Sequence, residues 1–122
     1  MGVMSNEFIK EQKTLKTLYH ATPKNNTFAI MREGIKAGID GIVYFCETPE
    51  NCLAYMRGYV IAHGFHEFAT IPVKFTDEEF ANMGKNIDNT AELPTAYAYE
   101  GDVPADRVPH NLNEIPLWVV SL

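Results

Sequence analysis

Two short apolar stretches contain side chains that can take part in chemistry. Leu15–His20 ends in a histidine, and Gly41–Phe45 carries Tyr44 next to its last residue. An imidazole can donate or accept hydrogen bonds near neutral pH, and a tyrosine combines an apolar ring with a polar tip. The sequence therefore predicts two strands that end with hydrogen-bonding groups at the mouth of a pocket.

Other common chemistries have no matching pattern in the sequence. No two of the four histidines stand four residues apart, so we expect no helical metal site. A glycine-rich phosphate loop and a serine nucleophile motif are both missing. Cys46 and Cys52 lack metal-ligand spacing, and reduced thiols are the simplest interpretation, with a disulfide between them as the alternative.

The composition indicates one ordinary globular domain. The chain has 122 residues, of which 46% are hydrophobic and 21% charged. Its net charge of -6 argues against a general binder of nucleic acids, because such proteins neutralise phosphates with many Lys and Arg side chains. No apolar run approaches the roughly 20 residues that span a bilayer. The polar first 16 residues are not typical of a signal peptide, so we expect a cytoplasmic protein without a membrane anchor.

The order of the strand and helix patterns predicts an α+β fold with a mostly antiparallel sheet. Five strands are expected, at residues 15–20, 41–45, 67–75, 96–100 and 115–120. Three helices are expected, at residues 27–33, 48–63 and 76–83. Residues 1–14 form a short N-terminal extension with one possible helical turn, residues 15–122 form the domain, and residues 84–95 are a polar loop.

Several residues give sharper local expectations. Asn25 or Asn26 should cap the first helix, with Phe28, Met31 and Ile35 on one side of it and Gly34 at its end. Thr48 should cap the second helix, and Thr76 begins a capping box for the third. Pro72 indicates a strand edge or a bulge, because proline cannot donate a hydrogen bond to a neighbouring strand.

Four segments taken in order resemble the ADP-ribosyltransferase fold. They are Leu-Tyr-His-Ala-Thr at residues 18–22, Arg-Glu-Gly-Ile at 32–35, Val-Tyr-Phe at 43–45 before a Thr-Pro-Glu helix start, and Tyr-Glu-Gly-Asp-Val-Pro at 99–104. The similarity is to the small bacterial and phage-type branch with tRNA 2'-phosphotransferases, rifampicin ADP-ribosyltransferases and DNA-modifying toxins. It covers residues 15–120 and implies a split, mostly antiparallel sheet with two or three short helices.

The resemblance also implies roles in binding NAD as a co-substrate. His20 would hydrogen-bond the adenosine-side ribose, and Tyr44 would stack on the nicotinamide ring. Ala21 stands where many relatives have a glycine whose backbone holds the nicotinamide amide, and Thr22 would lie in the same binding segment. Glu100 would hydrogen-bond the nicotinamide ribose and stabilise positive charge there.

Some of these assignments have alternatives. Asp77, Glu78 or Glu79 could supply the acid instead of Glu100, since one branch of the family places its acid after the third strand. Arg32 and Arg57 could contact the NAD phosphates, although arginines in such positions are more often helix-surface charges. Residues 84–95 are where we expect contacts with the acceptor substrate.

Three functional hypotheses follow from these observations. The first is an NAD-dependent ADP-ribosyltransferase, toxin-like or resistance-type, whose acceptor is a protein or small molecule. The second is a non-catalytic binding or inhibitor module on the same fold, using its acidic surface against a basic partner. The third is an unrelated α+β domain in which His20, Tyr44 and Glu100 serve only as a structural hydrogen-bonder, a core ring and a solvated carboxylate.

Overall fold

The chain folds around two small antiparallel sheets. A computed structural model describes residues 15–64, 66–86 and 93–120. The strands are β1 Lys16–Pro23, β2 Ile42–Phe45, β3 Glu67–Phe75, β4 Gly84–Asn86, β5 Ala96–Glu100 and β6 Leu117–Val119. The helices are α1 Thr27–Glu33, α2 Pro49–Ala54, α3 Arg57–His63 and α4 Asp77–Asn82. The predicted α+β class and antiparallel pairing are confirmed.

The two sheets meet at one backbone contact. The first sheet has the order β1-β3-β6 and the second β2-β5-β4. The Tyr19 amide donates to the Cys46 carbonyl at 2.8 Å, and the Cys46 amide donates back to Tyr19 at 2.9 Å. We call this Tyr19–Cys46 bridge the seam. β1 and β2, both described in full, share no further bridge, so they part on the His20 side of the seam.

One hydrophobic core lies against the inner faces of both sheets. Leu18 comes from β1, Phe75 from β3 and Phe45 from β2, and all three are fully buried. The rings of Phe45 and Phe75 pack edge to face with centroids 5.0 Å apart. Because few backbone hydrogen bonds join the two sheets, packing in this core holds them together.

Pro72 lies where its missing N–H costs nothing. It stands opposite Tyr19 in the β1–β3 ladder. Because Tyr19 directs both backbone groups to Cys46, the Tyr19–Pro72 pair is a non-hydrogen-bonded one and the proline nitrogen faces away from β1. β6 pairs with β3 only at Glu67–Ala69, so Pro72 borders an edge beyond the end of β6, as predicted.

Helix α1 has the predicted bounds but a different buried face. Thr27 and Ile30 are buried, whereas Phe28 remains 64% exposed. Of the three residues expected on one side of the helix, Met31 and Ile35 pack on the core and Phe28 does not. Thr27 and Ile30 are three residues apart and form the buried face of α1, and Met31 borders that face.

Two of the three predicted N-terminal caps are confirmed, and Gly34 ends α1 as predicted. The Thr48 hydroxyl accepts a hydrogen bond from the Asn51 amide, and Thr76 forms the predicted capping box. Asn26 precedes α1, but its side chain makes no cap and donates to the Thr22 hydroxyl at 3.1 Å. This bond ties the start of α1 to the end of β1.

Two further segments differ from the predictions. The helix expected over residues 48–63 is broken into α2 and α3, because the hydrogen bonds at Tyr55 and Met56 tighten to three-residue spacing. Gly84–Asn86 form strand β4 rather than part of a loop. Residues 87–92 and the possible helical turn at 5–14 lie outside the described ranges. No described helix is both long and apolar enough to cross a membrane.

Candidate functional site

A cleft of about 490 Å³ opens beside the seam, where β1 and β2 part. It has the size of a small-molecule site. We call it the main cleft; its lining residues are His20, Ala21, Lys36, Gly38, Asp40, Ile42, Val43, Tyr44, Cys46, Cys52, Tyr55, Met56 and Ala96. Three residues singled out in the sequence, His20, Ala21 and Tyr44, thus meet at one site.

His20 presents a hydrogen-bond acceptor to this cleft. Its Nδ1 lies 2.9 Å from the Tyr44 carbonyl oxygen, which can only accept, so Nδ1 carries the hydrogen. Burial lowers the pKa of His20, and the bond to the Tyr44 carbonyl opposes this only in part. The imidazole is therefore neutral near pH 7, with the lone pair on Nε2.

The backbone of Ala21 faces the gap between the two strands. Backbone groups alternate sides along a strand, so Ala21 directs its N–H and C=O to the same side as Tyr19. Tyr19 uses that side to bond Cys46 across the seam. At Ala21, β2 has moved away from β1, so the N–H and C=O of Ala21 face the main cleft.

Tyr44 stands at the mouth of the cleft with its hydroxyl anchored. The side chain is 42% exposed, and its hydroxyl donates to Asp40 Oδ2 at 2.9 Å. This hydrogen bond is the main reason that the pKa of Tyr44 is raised. Asp40 was missed in the sequence, where Asp-Gly before a strand indicates only a turn.

A smaller hollow adjoins the main cleft on the other side of His20. It measures about 250 Å³ and includes Thr22, Asn26 and Glu33 in its lining. His20 and Lys36 line both spaces, so the hollow and the main cleft border each other at these two residues. Lys36 is the cation at this site, and its ammonium lies 4.0 Å from Asp102.

Glu100 lies beside the main cleft rather than in it. It pairs with Ile42 across β5 and β2, so it shares a sheet face with Tyr44. Its exposed side chain lines a separate hollow of about 440 Å³. Ile42 lines both spaces and stands between them. The structure thus brings His20 and Tyr44 together and places Glu100 opposite Ile42, two residues along β2 from Tyr44.

The alternative acids lie on α4, outside the main cleft. Glu79 receives two hydrogen bonds from the Arg107 guanidinium, at 2.7 and 2.9 Å, and completes the capping box of Thr76. The hydrogen bond from Arg107 is the main reason that the pKa of Glu79 is lowered. Asp77 and Glu78 are exposed in the first turn of α4. The Glu79 carboxylate is therefore occupied by hydrogen bonds that stabilise the fold.

The two arginines proposed for the NAD phosphates lie on helix surfaces. Arg32 is exposed and forms an ion pair with its neighbour Glu33 at 3.6 Å. Arg57 is exposed at the start of α3. Neither belongs to the described residues that line the main cleft or the adjoining hollow.

Cys46 and Cys52 are free thiols buried in the wall of the main cleft. Burial raises the pKa of Cys46 to about 11 and that of Cys52 to about 12. Both thiols are thus protonated and poor nucleophiles near neutral pH.

The site combines an imidazole acceptor, an exposed aromatic face, strand backbone and the carboxylate of Asp40. Such a set can bind a flat ring with attached hydroxyl groups and favour positive charge beside it. Within the described residues, no three His, Cys, Asp or Glu side chains are grouped as metal ligands. No protein-family model matches the sequence, and no curated protein matches it.

Proposed function

We propose that this protein is an NAD-dependent ADP-ribosyltransferase that transfers ADP-ribose to a protein or small-molecule acceptor and releases nicotinamide. One observation carries the proposal: His20, Tyr44 and the Ala21 backbone meet in one cleft at the point where two antiparallel sheets part. That arrangement supports the ADP-ribosyltransferase fold that the sequence resembles.

The geometry is suited to an extended ligand with hydroxyl groups and a flat ring. The neutral Nε2 of His20 can accept a hydrogen bond from a ribose hydroxyl. The exposed face of Tyr44 can stack on nicotinamide, and the Ala21 N–H and C=O can pair with its amide. Cavities of about 490 and 250 Å³ on either side of His20 suit the two halves of a dinucleotide.

The proposed reaction requires a negative group near the bond that breaks. When the bond between the ribose carbon and the nicotinamide nitrogen breaks, its electron pair leaves with nicotinamide and positive charge develops on the ribose. The acceptor then donates an electron pair to that carbon and loses its proton. A carboxylate beside the ribose stabilises charge that is largest in the transition state. Glu100 shares a sheet face with Tyr44 and can supply this carboxylate from the side of the cleft.

The test is nicotinamide release from NAD, together with label transfer from adenine-labelled NAD. Because His20 and Tyr44 would bind NAD, His20→Ala and Tyr44→Ala should weaken its binding about tenfold or more. Glu100→Gln should keep binding and lower the rate of release about 100-fold. Glu114→Gln, an exposed substitution outside the site, is the matched control and should behave as wild type. A wild-type protein that neither binds nor cleaves NAD would contradict the proposal.

A non-catalytic binding module is the second candidate, because Glu100 lies outside the main cleft. Calorimetry separates the two functions. Binding of NAD that depends on His20, without release of nicotinamide under any condition, would favour the module. Release that falls in the Glu100→Gln variant would favour the enzyme.

A further inference from the structure

The turn before β2 places a carboxylate on the Tyr44 hydroxyl. The Gly41 amide donates to the Gly38 carbonyl at 2.9 Å, and the Gly38 amide donates to the Ile42 carbonyl at 3.1 Å. Within this turn, Asp40 Oδ1 accepts from the Ile42 amide at 3.1 Å, and Oδ2 accepts from Tyr44 at 2.9 Å. Both oxygens of Asp40 are therefore fixed by β2 itself.

We propose that Asp40 is a positioning residue, which holds the Tyr44 ring at the mouth of the main cleft so that the ring can serve as a stacking platform. The inference rests on the proposed function for the identity of the ligand. It goes beyond that function by giving a role to Asp40, whose carboxylate accepts a hydrogen bond from the hydroxyl of Tyr44.

The Tyr44 ring needs such a partner because the neighbouring side chain on the same face of the sheet packs weakly against the ring. The residue directly across on β5 is Ala98, whose methyl group covers little of a tyrosine ring. With 42% of its surface exposed, the ring would otherwise exchange between staggered rotamers. A hydrogen bond from the far end of the side chain selects the rotamer that borders the cleft.

The turn is built to leave room for this carboxylate. A Cβ added at Gly38 would lie 3.3 Å from Asp40 Oδ1, which is closer than ordinary contact. A side chain at position 38 would thus press on the carboxylate that holds Tyr44. The raised pKa of Tyr44 is the behaviour expected of a phenol that donates to a carboxylate.

A double-mutant cycle tests whether Asp40 acts through Tyr44. The variants are Asp40→Ala, Tyr44→Phe and the pair together, with Asp106→Ala as an exposed control outside the main cleft. We expect Asp40→Ala to raise KM for NAD about tenfold with kcat within about threefold, because a platform acts on binding. In the Tyr44→Phe background, Asp40→Ala should add nothing further. Asp40→Asn, which keeps an acceptor oxygen, should restore most of the affinity.

A second readout needs no NAD. Tyr44 ionisation is followed by ultraviolet titration as the difference between the protein and its Tyr44→Phe variant, and Asp40→Ala should lower the pKa of Tyr44 towards about 10. Circular dichroism checks that each variant is folded. An unchanged Tyr44 pKa in folded Asp40→Ala would overturn the inference, as would a loss of kcat that persists in the Tyr44→Phe background. If no variant processes NAD, the proposed function fails, while the titration still decides the role of Asp40.

Discussion

His20 is held as a hydrogen-bond acceptor because of where its two ring nitrogens lie. Nδ1 donates to the Tyr44 carbonyl, and burial disfavours the charged ring. A histidine in this state is suited to orienting a hydroxyl group, and poorly suited to donating a proton at neutral pH. The sequence predicts His20 at the end of a strand over residues 15–20, but β1 continues to Pro23. His20 therefore lies in the middle of the strand, where it borders both the main cleft and the adjoining hollow.

The lowered pKa of His20 predicts a loss of stability in mild acid. The unfolded chain binds a proton at the ordinary pKa of about 6.5 and the folded chain binds it only at lower pH, so the unfolded state gains protons first. The stabilisation is complete above pH 6.5 and is lost as the pH falls towards the folded pKa. One such proton contributes a slope of at most about 1.4 kcal/mol per pH unit.

Urea unfolding from pH 7.5 to 5.5 measures this slope. His20→Asn, whose amide can still donate to the Tyr44 carbonyl but does not titrate, should show a shallower dependence than wild type. His110→Asn, at an exposed position, is the control and should keep the wild-type slope. Equal slopes in wild type and His20→Asn would show that His20 is not protected from protonation in the fold.

The residue types at the site could be predicted from the sequence, but their grouping could not. His20 and Tyr44 can be identified from the sequence because His20 ends one short apolar stretch and Tyr44 lies near the end of another. Asp40 was missed because an Asp-Gly pair fits any surface turn, and only the fold brings its carboxylate to Tyr44. Glu100 pairs with Ile42 and lines the hollow next to the main cleft, a position set by the register between β2 and β5, which is not encoded locally.

At the scale of elements, the end of α1 depends on one close backbone approach. Gly34 has φ 83°, and a Cβ at that position would lie 2.1 Å from the Val103 carbonyl oxygen. The next residue, Ile35, exchanges hydrogen bonds of 2.9 and 2.8 Å with Val103. This contact joins α1 to the segment after β5 and so fixes the wall that carries Glu33 and Lys36.

Gly34→Ala should therefore destabilise the fold far more than Gly41→Ala. Gly41 has a similar φ of 77° but open space around it, so its substitution tests backbone conformation alone. We expect the free energy of unfolding, measured in urea, to fall by about 1 kcal/mol in Gly41→Ala and by at least about 3 kcal/mol in Gly34→Ala. Similar decreases in the free energy of unfolding of the two variants would mean that the backbone at Val103 can move to make room for a Cβ at position 34.

Elements with strong local signals could be predicted closely, and those set by packing could not. β3 and β5 have the predicted bounds, and the Thr76 capping box begins α4 as expected. The break between α2 and α3 has no proline, and Gly58 beyond it is only a weak helix breaker. β4 is a strand because its three residues pair with β5, the next strand of the chain, and not because Gly-Lys-Asn favours a strand locally.

At the scale of the whole molecule, the seam joins two sheets that otherwise part. Cys46 forms the bridge with Tyr19 and buries its thiol in the adjoining cleft wall. The seam and the hydrogen bond from His20 Nδ1 to the Tyr44 carbonyl, at 2.9 Å, together hold β1 beside β2 at the cleft. The reactivity of the Cys46 thiol therefore reports whether the two sheets stay together.

In the folded protein both thiols should react very slowly with a disulfide reagent such as dithiobisnitrobenzoate. With a pKa of about 11, only about one Cys46 thiol in a thousand is ionised at pH 8, and the thiolate is the reactive form. Burial slows the reaction further, so we expect a rate at least about 100-fold below that of the unfolded chain.

The variant Cys52→Ala isolates Cys46, and denaturing urea gives the reference rate and the number of thiols. Two reactive thiols per unfolded chain would confirm the reduced pair, whereas none would indicate the disulfide alternative. Rapid reaction of Cys46 in native buffer would show that the seam opens readily, and within the described residues the His20–Tyr44 hydrogen bond would then be the remaining bond between β1 and β2 at the cleft.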